Sequence, residues 1–160
     1  MDPMAKAFRL GLDRSDEFIG YFTKGMEGDD WLKRPPGVPN PAIWTLGHLA
    51  FVRGRFLELL TGKKTYGDAW VPLFEIGCEP HDPREYPDVE TCRAFLRACL
   101  EDIRAYLETA TREDLESPPC VPSRFFPTKA AALVHLTLHE AHHTGCLSLV
   151  RRMLGKEKVI

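Results

Sequence analysis

The sequence predicts an all-helical protein, a four-helix bundle with a long crossover between its second and third helices. Three observations carry that expectation. Apolar residues recur near a 3.6-residue period in four long segments. Prolines gather in the stretches between those segments, where no helix can continue. No alternating run rich in Val, Ile and Thr is long enough for a strand, and no internal repeat occurs. A chain of 160 residues suits one domain with a real core, so residues 1–160 are expected to fold as one unit.

The first helix is expected from about Ala5 to Met26, with Phe8, Leu12, Ile19, Phe22 and Met26 on its apolar face. A Pro/Gly-rich stretch, Lys33 to Asn40, breaks it from the next. Asn40 before Pro41 reads as an N-cap followed by proline at the first helical position. The second helix then runs to Thr61, and Gly62 supplies a stop. From Lys63 to Pro87 the chain holds four prolines together with Trp70, Phe74 and Tyr86. That composition predicts an ordered crossover packed on the body. Asp88 caps a third helix, Val89 to Ala110, whose stripe includes Cys92, Leu96, Cys99, Leu100, Ile103 and Leu107. Four more prolines follow, and Thr128 caps a fourth helix that reaches Leu154 before Gly155.

Bulk properties exclude several classes. The formal net charge is -2, so no basic field calls for nucleic acid or an anionic membrane. No apolar run approaches the roughly 18 residues of a membrane span. The N-terminus lacks a signal pattern, which favours the cytoplasm. The 5 cysteines form no Cys-x-x-Cys pair, which argues against a disulfide framework or a Cys-rich zinc site. Cys92, Cys99 and Cys146 read as small core residues.

The histidines carry the chemical signal. Of the 6, His135, His139, His142 and His143 lie on the fourth helix. Residues i and i+4 of a helix share a face, with Cβ atoms about 6 Å apart, so two imidazoles there can meet one metal ion. His139 and His143 have this spacing, and so do His135 and His139. All three cannot share an ion, because His135 and His143 are two turns apart. His142 points about 100° away from His143. A third ligand must come from elsewhere in the chain. His48, with Trp44 and Val52 one turn to either side, is the best candidate; His81 in the crossover is weaker.

His139-Glu140-Ala141-His142-His143 also matches the His-Glu-x-x-His helix of zinc hydrolases, in which the glutamate acts as a general base. Only 17 residues follow His143, and they contain no His or Asp to serve as the usual third ligand. Glu140 therefore reads as a solvated surface carboxylate. Arg53, Arg55, Arg151 and Arg152 read as solvated helix surface too. Trp31, Trp44 and Trp70 read as packing residues, with Trp44 the best placed to line a pocket.

Two segments resemble a known family. Asn40-Pro41-Ala42-Ile43-Trp44-Thr45-Leu46-Gly47-His48-Leu49-Ala50 is similar to the second-helix motif of the DinB/YfiT-like superfamily. Leu138-His139-Glu140-Ala141-His142-His143-Thr144-Gly145, followed by Arg151-Arg152-Met153-Leu154-Gly155, is similar to its last-helix motif. Leu73-Phe74-Glu75-Ile76-Gly77 and Tyr86-Pro87 resemble its crossover. The resemblance implies a helical bundle, often a homodimer, with a divalent metal, nickel or zinc, on His48, His139 and His143. It departs at Cys146, where many relatives carry glutamine. Family members with known roles include transferases and isomerases that use low-molecular-weight thiols. The first reading is thus a metal-dependent enzyme acting on a small-molecule substrate, with a thiol S-transfer as the leading reaction. The alternatives are a metal-binding or stress-associated bundle without turnover and, behind it, the His-Glu-x-x-His hydrolase. Three imidazoles leave a coordination position open, which suits either enzyme.

Overall fold

The computed structural model describes residues 1–78 and 80–159. Six α-helices follow in order: α1 (Pro3–Thr23), α2 (Ala42–Thr61), α3 (Val71–Phe74), α4 (Val89–Thr109), α5 (Arg112–Glu116) and α6 (Lys129–Met153). Three short 3₁₀ turns lie between them, and no strand occurs among the described residues.

The four long helices match the four periodic segments, with small shifts at their ends. Asp2 caps α1 by accepting from the Met4 amide, and Pro3 takes the first helical position. The helix stops at Thr23, short of Met26, because Lys24 turns extended and Gly25 follows at φ 70°. Met26 is buried all the same, and its carbonyl accepts from Trp31 Nε1 at 3.0 Å. Helix α2 begins one residue later than expected: Pro41 is itself extended and stands at the cap. Its end is as expected, with Gly62 left-handed at φ 77°. Asp88 caps α4 through the Thr91 amide, and Thr128 caps α6 through the Ala131 amide.

Helix α2 packs on α4 and α6, while α1 packs on α6 and α4. Phe74, Tyr66 and Tyr86, from the connection between α2 and α4 that the sequence reading expected as a crossover, are buried against the N-terminal half of α2, together with Ile43, Leu46 and Phe51. This second cover explains why every residue from Thr45 to Phe51 is buried. A lower cluster joins Leu57 and Leu60 to Leu100, Ile103, Leu107, Leu133 and Leu136. The short elements escaped the sequence reading. The turn Gly28–Trp31, helix α5, capped by Thr111, and the brief helical turns Asp68–Trp70, Val71–Phe74 and Pro83–Glu85 are too short to show periodicity. No described helix is long and apolar enough to cross a membrane.

Candidate metal centre

The buried run of α2 and the middle of α6 meet at three imidazoles. His48 is buried on α2; His139 and His143 stand one turn apart on α6 and are half-buried. Ring centroids lie 4.4 Å apart for His139–His143, 4.7 Å for His48–His143 and 5.0 Å for His48–His139. One nitrogen from each residue lies within 4.8 Å of the other two. His48 Nε2 and His139 Nε2 approach to 3.0 Å. Nitrogens bound to one tetrahedral ion through bonds of about 2 Å would lie roughly 3.3 Å apart, so the group suits a metal.

The surroundings of His48 decide which of its nitrogens is free. Its Nδ1 sits 2.9 Å from the Phe74 carbonyl. A carbonyl only accepts, so Nδ1 carries the proton and Nε2 presents its lone pair to the other imidazoles. Trp44 stacks on the same ring at 4.5 Å and 11°, and its Nε1 donates to the Leu73 carbonyl at 3.2 Å. Crossover and helix can approach this closely because position 47 is glycine. A Cβ there would lie 2.3 Å from Phe74 Cζ. Gly47 thus admits the Phe74 ring that brings the carbonyl to His48.

Burial holds all three imidazoles neutral. His48 is pushed below its ordinary value by desolvation, which outweighs the Phe74 hydrogen bond. Desolvation, with the neighbouring imidazoles adding to it, pushes His139 down to about 3 and His143 down to about 4. Neutral imidazole is the metal-binding form. His139 Nδ1 is buried without a hydrogen-bond partner among the described residues. The nitrogen placed to ligate is the other one, Nε2, which faces His48.

The other histidines stand apart from this group. His135 is exposed and stacks on Phe56, 5.8 Å between centroids. His81 pairs with Glu85 in the crossover at 2.9 Å. His142 is exposed, edge-on to His143.

Glu140 and Arg53 correct the sequence reading, which put both in solvent. Each side chain is fully buried. Arg53 Nε and Nη2 donate to the two Glu140 oxygens at 2.6 and 3.0 Å, and Nη1 donates to Asp16 and to the Leu96 carbonyl. Burial alone would lower the Arg53 pKa, but the Glu140 and Asp16 carboxylates outweigh it and hold the guanidinium above its ordinary value. Both Glu140 oxygens are engaged by Arg53, so the carboxylate is not poised as a base. The reason is non-local. A carboxylate turned toward the interior of α6 is tolerable only because a cation on α2 meets it there. Arg151 is also buried, donating to the Glu157 carbonyl at 3.0 Å and to the Lys24 carbonyl at the end of α1. Arg55 and Arg152 are exposed, as expected. Among the cysteines, Cys92 and Cys99 are buried in line with expectation, while Cys146 is half-buried beside His142.

Comparison with known proteins agrees with this architecture. The crystal structure of the conserved protein of locus from Enterococcus faecalis is similar with a TM-score of 0.75, over 98% of this chain and 99% of that one. Its sequence identity is 18%, so the likeness is one of fold. No curated protein is significantly similar to the chain in sequence. The family model of the DinB superfamily matches residues 15–147. With most of the chain matched, and with the helical histidine motifs in place, the protein belongs to the DinB superfamily.

Proposed function

We propose that this protein is a metal-dependent enzyme built on a four-helix bundle with a crossover between its second and third long helices. His48, His139 and His143 are its metal ligands, nickel or zinc its ion, and a thiol-dependent S-transfer its reaction. The observation that carries the proposal is the convergence of His48 Nε2 on His139 Nε2 at 3.0 Å, with the opposite nitrogen of His48 already committed to Phe74. A bound ion would supply Lewis acidity and a place where a low-molecular-weight thiol gives up its proton.

The chain's own contribution is to hold the site. Phe74 fixes the tautomer of His48, and Trp44 covers one face of its ring. The Arg53–Glu140 pair ties α2 to α6 next to the ligands. No side chain of the group is a ready nucleophile, so the nucleophile belongs to a small-molecule cosubstrate. Within the reading, residues 1–160 act as one domain, in the cytoplasm, without nucleic acid or membrane. Exposed Val134, Leu138, Leu149 and Met153 on α6, with Leu10 on α1, favour a homodimer.

A second reading is a metal-binding or stress-associated bundle without turnover; the same ligands serve it. The His-Glu-x-x-His hydrolase is disfavoured by the engaged Glu140 carboxylate. Elemental analysis of protein purified without a histidine tag tests the site. One equivalent of transition metal per chain is expected. Protein of known metal content, offered a small thiol and a panel of electrophiles, should consume the thiol only when loaded. Loading without any consumption across the panel would favour the non-catalytic reading.

A further inference from the structure

The solvent side of α6 carries a second group of donors. His142, His143 and Cys146 each offer one atom, and these lie within 4.8 Å of one another. His142 is exposed, while His143 and Cys146 are half-buried. His142 and Cys146 stand one turn apart, with Nε2 4.0 Å from Sγ. The His142 ring meets His143 edge-on, 4.9 Å between centroids. The other described thiols are differently placed: those of Cys92 and Cys99 are buried on α4, and those of Cys78 and Cys120 donate to backbone carbonyls. Cys146 is the cysteine whose sulfur faces imidazoles.

We infer that His142, His143 and Cys146 form a second metal site, outside the three-histidine centre, for a thiophilic ion such as zinc, cobalt or cuprous copper. Two imidazoles and one thiolate make a softer donor set than three imidazoles. His143 belongs to both groups, and a neutral imidazole has one lone pair. The two groups are therefore alternative positions of a single ion. The outer one receives the ion from solvent, and the inner one retains it. On capture the Cys146 thiol loses its proton to solvent and a metal–sulfur bond forms. On transfer the bonds to Cys146 and His142 break, the sulfur takes a proton back, and bonds to His48 and His139 form while that to His143 is kept, with no change of oxidation state. The transfer rests on the three-histidine reading; the outer site does not.

Cobalt(II) mixed with metal-free, full-length protein tests this through sulfur-to-cobalt charge-transfer absorption in the near ultraviolet. His48→Ala should show a lasting band, because the inner position is crippled. His139→Ala should do the same, which guards against a folding defect in one variant. Wild type should show the band early and lose it as the ion moves inward. In Cys146→Ser the band should be absent. A lasting band in wild type and both variants would keep the outer site and overturn the inner one. No band in His48→Ala, His139→Ala and wild type, or a band that survives Cys146→Ser, would overturn the outer site.

Discussion

At the scale of single residues, neighbours decide what a side chain can do. Three histidines become a donor group because burial strips their protons and a backbone carbonyl orients one of them. After a chelator wash that strips the exposed outer group, His48→Ala, His139→Ala and His143→Ala should each show sharply lower metal content, while His142→Ala should leave the final content unchanged; elemental analysis reads this directly. Full metal retention in His48→Ala would remove the link between helices from the site. Glu140 shows the opposite case, a residue whose motif suggests chemistry and whose surroundings assign it to structure. Removing one partner of a buried ion pair typically costs about 3–5 kcal/mol. Glu140→Ala should therefore lower stability by about 3 kcal/mol in urea denaturation, with Asp16 still shielding part of the Arg53 charge. A loss below about 1 kcal/mol would mean that the pair is closer to a surface bridge in effect.

At the scale of elements, the site depends on one close approach between α2 and the crossover. Gly47→Ala places a methyl group where the Phe74 ring lies, so ring and carbonyl must move. Overpacking of this kind costs about 1–3 kcal/mol. Loss of a hydrogen bond that orients a metal-binding histidine weakens metal affinity roughly 10–100-fold. Gly47→Ala should therefore show both effects, read by urea denaturation and by competition with a chelator. A variant that lost stability but kept its affinity would show that the Phe74 contact is packing only. Helix capping is separable from the site. Thr128→Ala should cost about 1 kcal/mol, with metal content unchanged, because the cap lies about three turns before His139.

At the scale of the whole molecule, the proposed metal binding would be linked to folding. An ion that binds only the folded chain stabilises it by about 2.7 kcal/mol at a hundredfold excess over its dissociation constant. The thermal midpoint should rise with added nickel or zinc in wild type and stay flat in His143→Ala, which lacks the imidazole common to both groups. Helical content should survive metal removal, since neither core cluster includes a ligand histidine. Collapse of the helical signal on chelation would make the ion a structural requirement for folding.

The sequence alone determined what depends on local chemistry. Periodicity located the four long helices; Asp88, Thr128 and Gly62 marked ends that the structure keeps, because caps and left-handed glycines act within one turn. The i, i+4 geometry brought out the His139–His143 pair for the same reason, and the place of His48 inside the second helix, with which the resemblance agreed, supplied the partner. Tertiary structure decided the rest. Spacing could not choose between His135 and His143; in the fold, His143 faces His48 and His135 turns to Phe56. Neither the Arg53–Glu140 pair nor the approach of Phe74 to Gly47 leaves a local signal, because the partners lie 87 and 27 residues apart in sequence. Such contacts form only when separate helices pack, and here they fix how the imidazoles meet.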